Sequence, residues 1–316
     1  MILYSLFFLN SQERHWIKFM NLEQFVQRNF DKNKTLIVES NFAKSLRLAG
    51  AIDLYKKTKD DSYINYAINC IKDRVSDDGD ITFKIENEIV DTIRLGEVIF
   101  SLYKITGEEK YKNAIDKLSN DYVTKLGSAD TMIENAKEHK VCIFNEFYAT
   151  MPFYMNYETV FHKKEGYNDI IAKFDALRNE FFNEEKELYV TDESEFKTEF
   201  SALHAMTLID TIENTSEEIY EHYKKLMVWF KETIKGVLKY QDKDSMLICE
   251  STNSNKVNLW TSLMTAYAMK KACKYNVLLS EKYDDIANDM ITSILRQLNE
   301  NLDDEVLGLL MKIAAI

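Results

Sequence analysis

The sequence predicts an all-α protein made of stacked helical hairpins. Three observations carry that expectation. The 316 residues include one proline, Pro152, and eight glycines. Average usage would give about 16 and 22, so folds that depend on many tight turns lack their turn residues. Apolar residues recur at helical spacing along the chain. A short signature, a polar and usually acidic loop followed by a tyrosine one turn into the next helix, returns five times.

In chain order, Ala43, Leu46, Leu48, Ala49, Ala51, Ile52 and Tyr55 place a broad apolar stripe on one helix. Asp77-Asp78-Gly79-Asp80 reads as a turn feeding a short alternating strand, Ile81-Thr82-Phe83-Lys84-Ile85. Further helices follow on Leu95, Val98, Ile99, Leu102 and Tyr103, then on Phe153, Tyr154, Tyr157, Val160 and Phe161. Leu203, Met206, Leu208, Ile209 and Ile212 mark another. Leu188-Tyr189-Val190-Thr191 and Ser245-Met246-Leu247-Ile248-Cys249 look like short strands between hairpins, where loops meet at one end.

The signature tyrosines are Tyr63, Tyr111, Tyr167, Tyr220 and Tyr283. Their spacing of roughly 50 to 60 residues suits one helical hairpin per unit. Acidic residues before them favour a helix N-terminus, Ser216 and Ser280 are candidate caps, and each tyrosine is expected to bury its ring with the hydroxyl at the wet end. Such hairpins must stack on neighbours, in an open solenoid or a closed double ring, and about six of them suit the ring. No linker or low-complexity run divides the chain, so one domain is expected over residues 1–316.

Composition narrows the function. At 46% hydrophobic and 29% charged the chain is globular, and its net charge of -12 argues against a nucleic-acid partner, whose phosphates demand clustered Lys and Arg. Cys70, Cys142, Cys249 and Cys273 form no CxxC pair, and reduced buried thiols are expected. The apolar N-terminal run, residues 1–9, has no basic n-region or small-residue cleavage site and is too short for a bilayer, so no membrane contact and a cytoplasmic location are expected. His15, His139, His162, His204 and His222 lack ligand spacing, so neither a metal nor another cofactor is expected. Gly-rich phosphate loops and a GxSxG elbow are absent as well.

Particular stretches go further. Leu48-Ala49-Gly50-Ala51-Ile52-Asp53-Leu54-Tyr55 precedes the acidic-glycine turn at Asp77–Ile81. Ile89-Val90-Asp91-Thr92-Ile93-Arg94-Leu95-Gly96 leads into Leu102-Tyr103-Lys104-Ile105-Thr106-Gly107. This order, from about residue 35 to residue 300, resembles the unsaturated glucuronyl and rhamnogalacturonyl hydrolases of glycoside hydrolase families 88 and 105. The resemblance implies an (α/α)6 barrel, with short β-hairpins in the loops at one end, and makes Asp91 an active-site residue. An N-cap role would suit Asp91 equally well.

The family's Trp-Leu-Asp-Gly-Leu-Tyr-Met segment, whose Asp donates the proton, is matched by Ile143-Phe144-Asn145-Glu146-Phe147-Tyr148-Ala149-Thr150-Met151-Pro152-Phe153. Tyr148, Pro152 and Phe153 agree; the acid position is Asn145. Glu146 is the neighbouring carboxylate, but in a helix a one-residue shift turns it by about 100°. The family's Trp-Gly-Arg-x-x-Gly-Trp substrate loop corresponds to Lys197–Leu203, without its tryptophans, glycines or arginine. Phe42 (after Ser40-Asn41), Tyr148, Tyr189, His204 and Trp260 are the candidate substrate contacts.

The family reaction hydrates a C4–C5 double bond. A carboxylic acid protonates the vinyl ether, then as carboxylate assists water, and the hemiketal falls apart. The resemblance implies a divergent glycoside hydrolase acting on unsaturated uronyl oligosaccharides, with Asp91, Asn145 and Glu146 at its centre. The residues leave open a non-catalytic relative that binds a sugar or a protein. A small oligosaccharide or other small polar molecule is the expected ligand; the sequence says nothing of oligomeric state.

Overall fold

The computed structural model describes residues 21–32, 39–40, 42–82, 84–85, 90–139, 143–191, 196–298 and 302–316. The apolar run at residues 1–9, His15, Asn41 and Cys142 lie outside them. Helices α1 (Leu22–Lys32), α2 (Phe42–Thr58), α3 (Asp61–Ile71), α4 (Val90–Thr106), α5 (Glu109–Leu126), α6 (Ala129–His139) and α7 (Ile143–Val160) form the first part. They are followed by α8 (Tyr167–Phe181), α9 (Glu199–Asn214), α10 (Tyr220–Leu238), α11 (Leu259–Lys274), α12 (Ser280–Leu295) and α13 (Asp304–Ala314).

Six of these, α2, α4, α7, α9, α11 and α13, pack side by side in that order, and α13 closes back on α2. The predicted ring is therefore closed, with the solenoid alternative set aside. Around it lie α3, α5, α8, α10, α12 and α1, while α6 is an addition packed against α8. The inner helices are parallel, as hairpin units require. They are apolar nearly all round, as helices buried on both sides should be: α9 buries every residue from Ser201 to Ile212.

Glycine sets the closure. A Cβ on Gly50 of α2 would lie 2.5 Å from the Gly308 carbonyl oxygen, and one on Gly308 of α13 would lie 2.5 Å from the Arg47 amide nitrogen. The backbones approach more closely there than side chains permit.

The short strands all sit in connections that lead into the N-termini of inner helices. β1 (Glu39–Ser40) pairs in parallel with β2 (Lys84–Ile85), and β3 (Phe182–Asn183) pairs antiparallel with β4 (Leu188–Tyr189). Single bridges join Val75 to Ile81, Gln241 to Ile248 and Cys249 to Val257. The expected hairpins at one end are present, shorter than the alternating runs suggested.

The tyrosine signature marks the start of five outer helices. Tyr63, Tyr111 and Tyr167 are buried, and Asp60 caps α3 by accepting from the Ser62 amide at 2.9 Å. Three expectations need correction. Tyr220 is 57% exposed, and Tyr223, nearly one turn further along α10, packs against the core instead. The Tyr111 hydroxyl is sealed rather than wet. The N-caps of α10 and α12 fall at Ile219 and Leu279, not at Ser216 or Ser280.

Candidate active site

Parallel inner helices bring six N-termini to one end of the ring, where partial positive charge gathers. Asp91 is the second residue of α4, inside the helix rather than at its N-cap, and is 7% exposed. On the adjacent α7, Asn145 and Glu146 are the third and fourth residues. This segment is helical, so the two side chains diverge: Asn145 is exposed and Glu146 half-buried. Burial holds the Glu146 carboxyl above its ordinary range.

Phe42, Tyr148 and Trp260 come together from α2, α7 and α11. The Phe42 ring centroid is 5.7 Å from that of Tyr148 and 6.4 Å from that of Trp260. Arg94, one turn below Asp91, joins them. Its guanidinium carbon lies 4.0 Å from both the Phe42 and the Tyr148 centroids, a cation–π arrangement strengthened by low exposure. Burial pushes the Tyr148 hydroxyl up, with Arg94 opposing. Sequence reasoning did not single out Arg94. The signal was a lone arginine one helical turn after Asp91 on an otherwise apolar stretch.

Tyr189 and His204 stand elsewhere. Their rings are 4.2 Å apart within a buried aromatic layer that includes Phe144, Phe174 and Phe182. Both are 1% exposed, and burial holds the His204 imidazole down to about 3, so it is neutral at physiological pH. The structure separates these two from the Phe42, Tyr148 and Trp260 group.

Beneath Arg94 and Tyr148 lies a cavity of about 260 Å³ on the ring axis, bordered by both residues and by Ser45, Glu97, Lys104 and Asp210. Its lower part is a charge network missed in the sequence, on the C-terminal halves of the inner helices. Lys271 Nζ lies 2.6 Å from Asp210 Oδ1 and 2.5 Å from Glu213 Oε2. Lys312 pairs with Asp53 at 2.9 Å. Lysines here also answer the negative ends of the helices. Among the described residues no group of three His, Cys, Asp or Glu could hold a metal ion, and no helix is long and apolar enough to cross a membrane.

A closed ring of six inner and six outer helices, with polar and aromatic residues gathered at the inner N-termini, is a helical-barrel glycosidase architecture. The model of glycosyl hydrolase family 88 matches residues 16–313, and the chain belongs to that family. Among solved structures, it is similar to a glycoside hydrolase from family 105 of C. acetobutylicum ATCC 824, with 21% identity, 86% of this chain and 81% of that one covered, and a TM-score of 0.73. A glycosyl hydrolase family 88 protein from Bacteroides vulgatus matches at 10% identity over 98% of this chain and 100% of its own, TM-score 0.64. A UGL variant with dGlcA-Glc-Rha-Glc matches at 11% identity over 97% and 96%, TM-score 0.62.

Proposed function

We propose that this protein hydrolyses small unsaturated uronyl oligosaccharides at the N-terminal end of the inner ring. The observation that supports this most is the gathering of Phe42 and Tyr148 around Arg94, with Trp260 against Phe42, one helical turn from Asp91 on α4. A carboxylate, a cation and aromatic faces are the groups a charged sugar requires.

In this reading Asp91 and Glu146 are the two carboxyl groups. One donates a proton to C4 of the vinyl ether, and water adds at C5 as the carboxylate so formed accepts its proton. The C5 hemiketal then opens and releases the remaining sugar. Partial burial of Glu146 suits it to hold a proton nearer neutral pH than a solvated carboxyl would. Asn145, which stands where the resemblance puts the acid, supplies hydrogen bonds but no proton. Incubation with unsaturated uronyl disaccharides, following loss of the ultraviolet absorbance of the double bond, tests the reading: consumption supports it, and an inert wild type refutes it.

Asn145 itself favours a second reading, a sugar-binding relative without turnover. It requires a ligand-induced rise in melting temperature without loss of the double bond.

A further inference from the structure

Arg94 is a cation held at 8% exposure. Its Nε is sealed from solvent and has no hydrogen-bond partner among the described residues. Glu305, at the start of α13, is close enough for its acidity to respond to the arginine, yet no ion pair joins them among the described residues. A buried charge is ordinarily paired, because leaving water costs more than ring contacts return.

The placement of the rings says where a partner would sit. The Phe42 and Tyr148 centroids are each 4.0 Å from the guanidinium carbon and only 5.7 Å from each other. The two rings therefore crowd one half of the space around the guanidinium carbon and do not lie opposite each other across it. Arg94 also borders the axial cavity. A guanidinium presents its donors in a planar fork that matches a carboxylate through two parallel hydrogen bonds. The surrounding aromatic rings offer faces for a sugar.

We propose that Arg94 is the receptor for the carboxylate of an acidic sugar, which enters with that group foremost and pairs with the guanidinium at the top of the axial cavity. The inference rests on the site reading above for the identity of the ligand as a uronate. It supplies from α4 the planar arginine that the Lys197–Leu203 stretch does not contain.

Equilibrium binding of full-length wild type, Arg94→Met and Arg94→Lys to an unsaturated glucuronyl disaccharide, its methyl ester and inorganic phosphate tests it. Wild type is expected to prefer the free acid over the ester, Arg94→Met to bind it about a hundredfold more weakly, and Arg94→Lys to recover only part of the loss. Arg94→Met should keep or raise the melting temperature, since it removes an unpaired buried charge, whereas a merely structural arginine would lower it.

Equal affinity of wild type and Arg94→Met for the acid, equal affinity of wild type for acid and ester, or binding of phosphate alone would overturn the proposal. The two readings fail separately. Acid-selective, Arg94-dependent binding without turnover removes the hydrolase and keeps the receptor. Turnover with kcat and KM unchanged in Arg94→Met keeps the hydrolase and removes the receptor.

Discussion

Gly96 of α4 rests directly on the Phe153 ring of α7: a Cβ at position 96 would lie 2.6 Å from Phe153 Cδ2 and 2.7 Å from Cε2. Two separated sequence features thus meet in one contact, the glycine after Asp91 and the aromatic after Pro152. Their packing fixes how closely α4 approaches α7 and so brings the start of one helix beside the start of the other. Phe153 is fully buried and cannot swing away. Gly96→Ala is expected to destabilise by about 1–3 kcal/mol through overpacking, and Phe153→Leu in the same chain should restore part of it. Urea midpoints check this, and an unchanged midpoint for Gly96→Ala would contradict the close approach.

Glu97, the next residue, gives a pH dependence. Burial pushes its carboxyl up from 4.5 to about 7, reinforced by the Asp210 and Glu213 charges and opposed by Lys312 and Lys104. The folded state therefore keeps a proton that the unfolded chain releases. This contribution is complete below about pH 4.5 and is lost as pH rises through about 7. Glu97→Gln should flatten stability between about pH 5 and pH 8, with a gain on the order of 2 kcal/mol at the upper end. Melting temperatures of the two proteins across that interval decide it; parallel curves would refute the assignment.

His204 has the opposite sign. Burial lowers its imidazole from 6.5 to about 3, so the stability it contributes is present above about 6.5 and is lost as pH falls toward 3. His204→Phe, placed among Phe144, Phe174 and Tyr189, should resist acid better than wild type. Acid-unfolding midpoints would show it, and an unshifted midpoint would argue that the imidazole is not sealed.

At the other end of the ring, Lys271 holds together Asp210, Glu213 and the Tyr267 hydroxyl, which lies 3.0 Å from its Nζ. Burial works against the ammonium, but the carboxylates outweigh it and lift it well above its ordinary range. Lys271→Met leaves Asp210 buried without its counter-charge, an expected loss of about 3–5 kcal/mol. Adding Asp210→Leu should return much of it. A double mutant no better than Lys271→Met would show the two residues to be uncoupled, by the logic of mutant cycles.

Much of the fold was legible because helical spacing and scarce turn residues are local signals. Tyr63, Tyr111 and Tyr167 mark outer-helix starts in the sequence as they do in space. The closed ring was expected, but the contact of Gly50 with Gly308 that seals it was not legible, since it joins residues at opposite ends of the chain. At the site, the Asp91 and Asn145 segments do lie on neighbouring helices at one end. Arg94 was overlooked because its meaning depends on Phe42 and Tyr148, which arrive from two other helices. The burial of Tyr189 and His204 against Phe144 is a tertiary fact that their positions in the sequence do not carry. The axial ion network was hidden likewise, its charges spaced singly along apolar helices.

Hydrolysis of an unsaturated uronyl disaccharide by wild type, Asp91→Asn and Asn145→Asp, read as the rate at which the double bond disappears, tests the central claim most directly. Wild type should consume the substrate, Asp91→Asn should lose roughly 10²–10⁴-fold of that rate, and Asn145→Asp should exceed wild type. No consumption by wild type or by Asn145→Asp, or an Asp91→Asn rate equal to wild type, would contradict it.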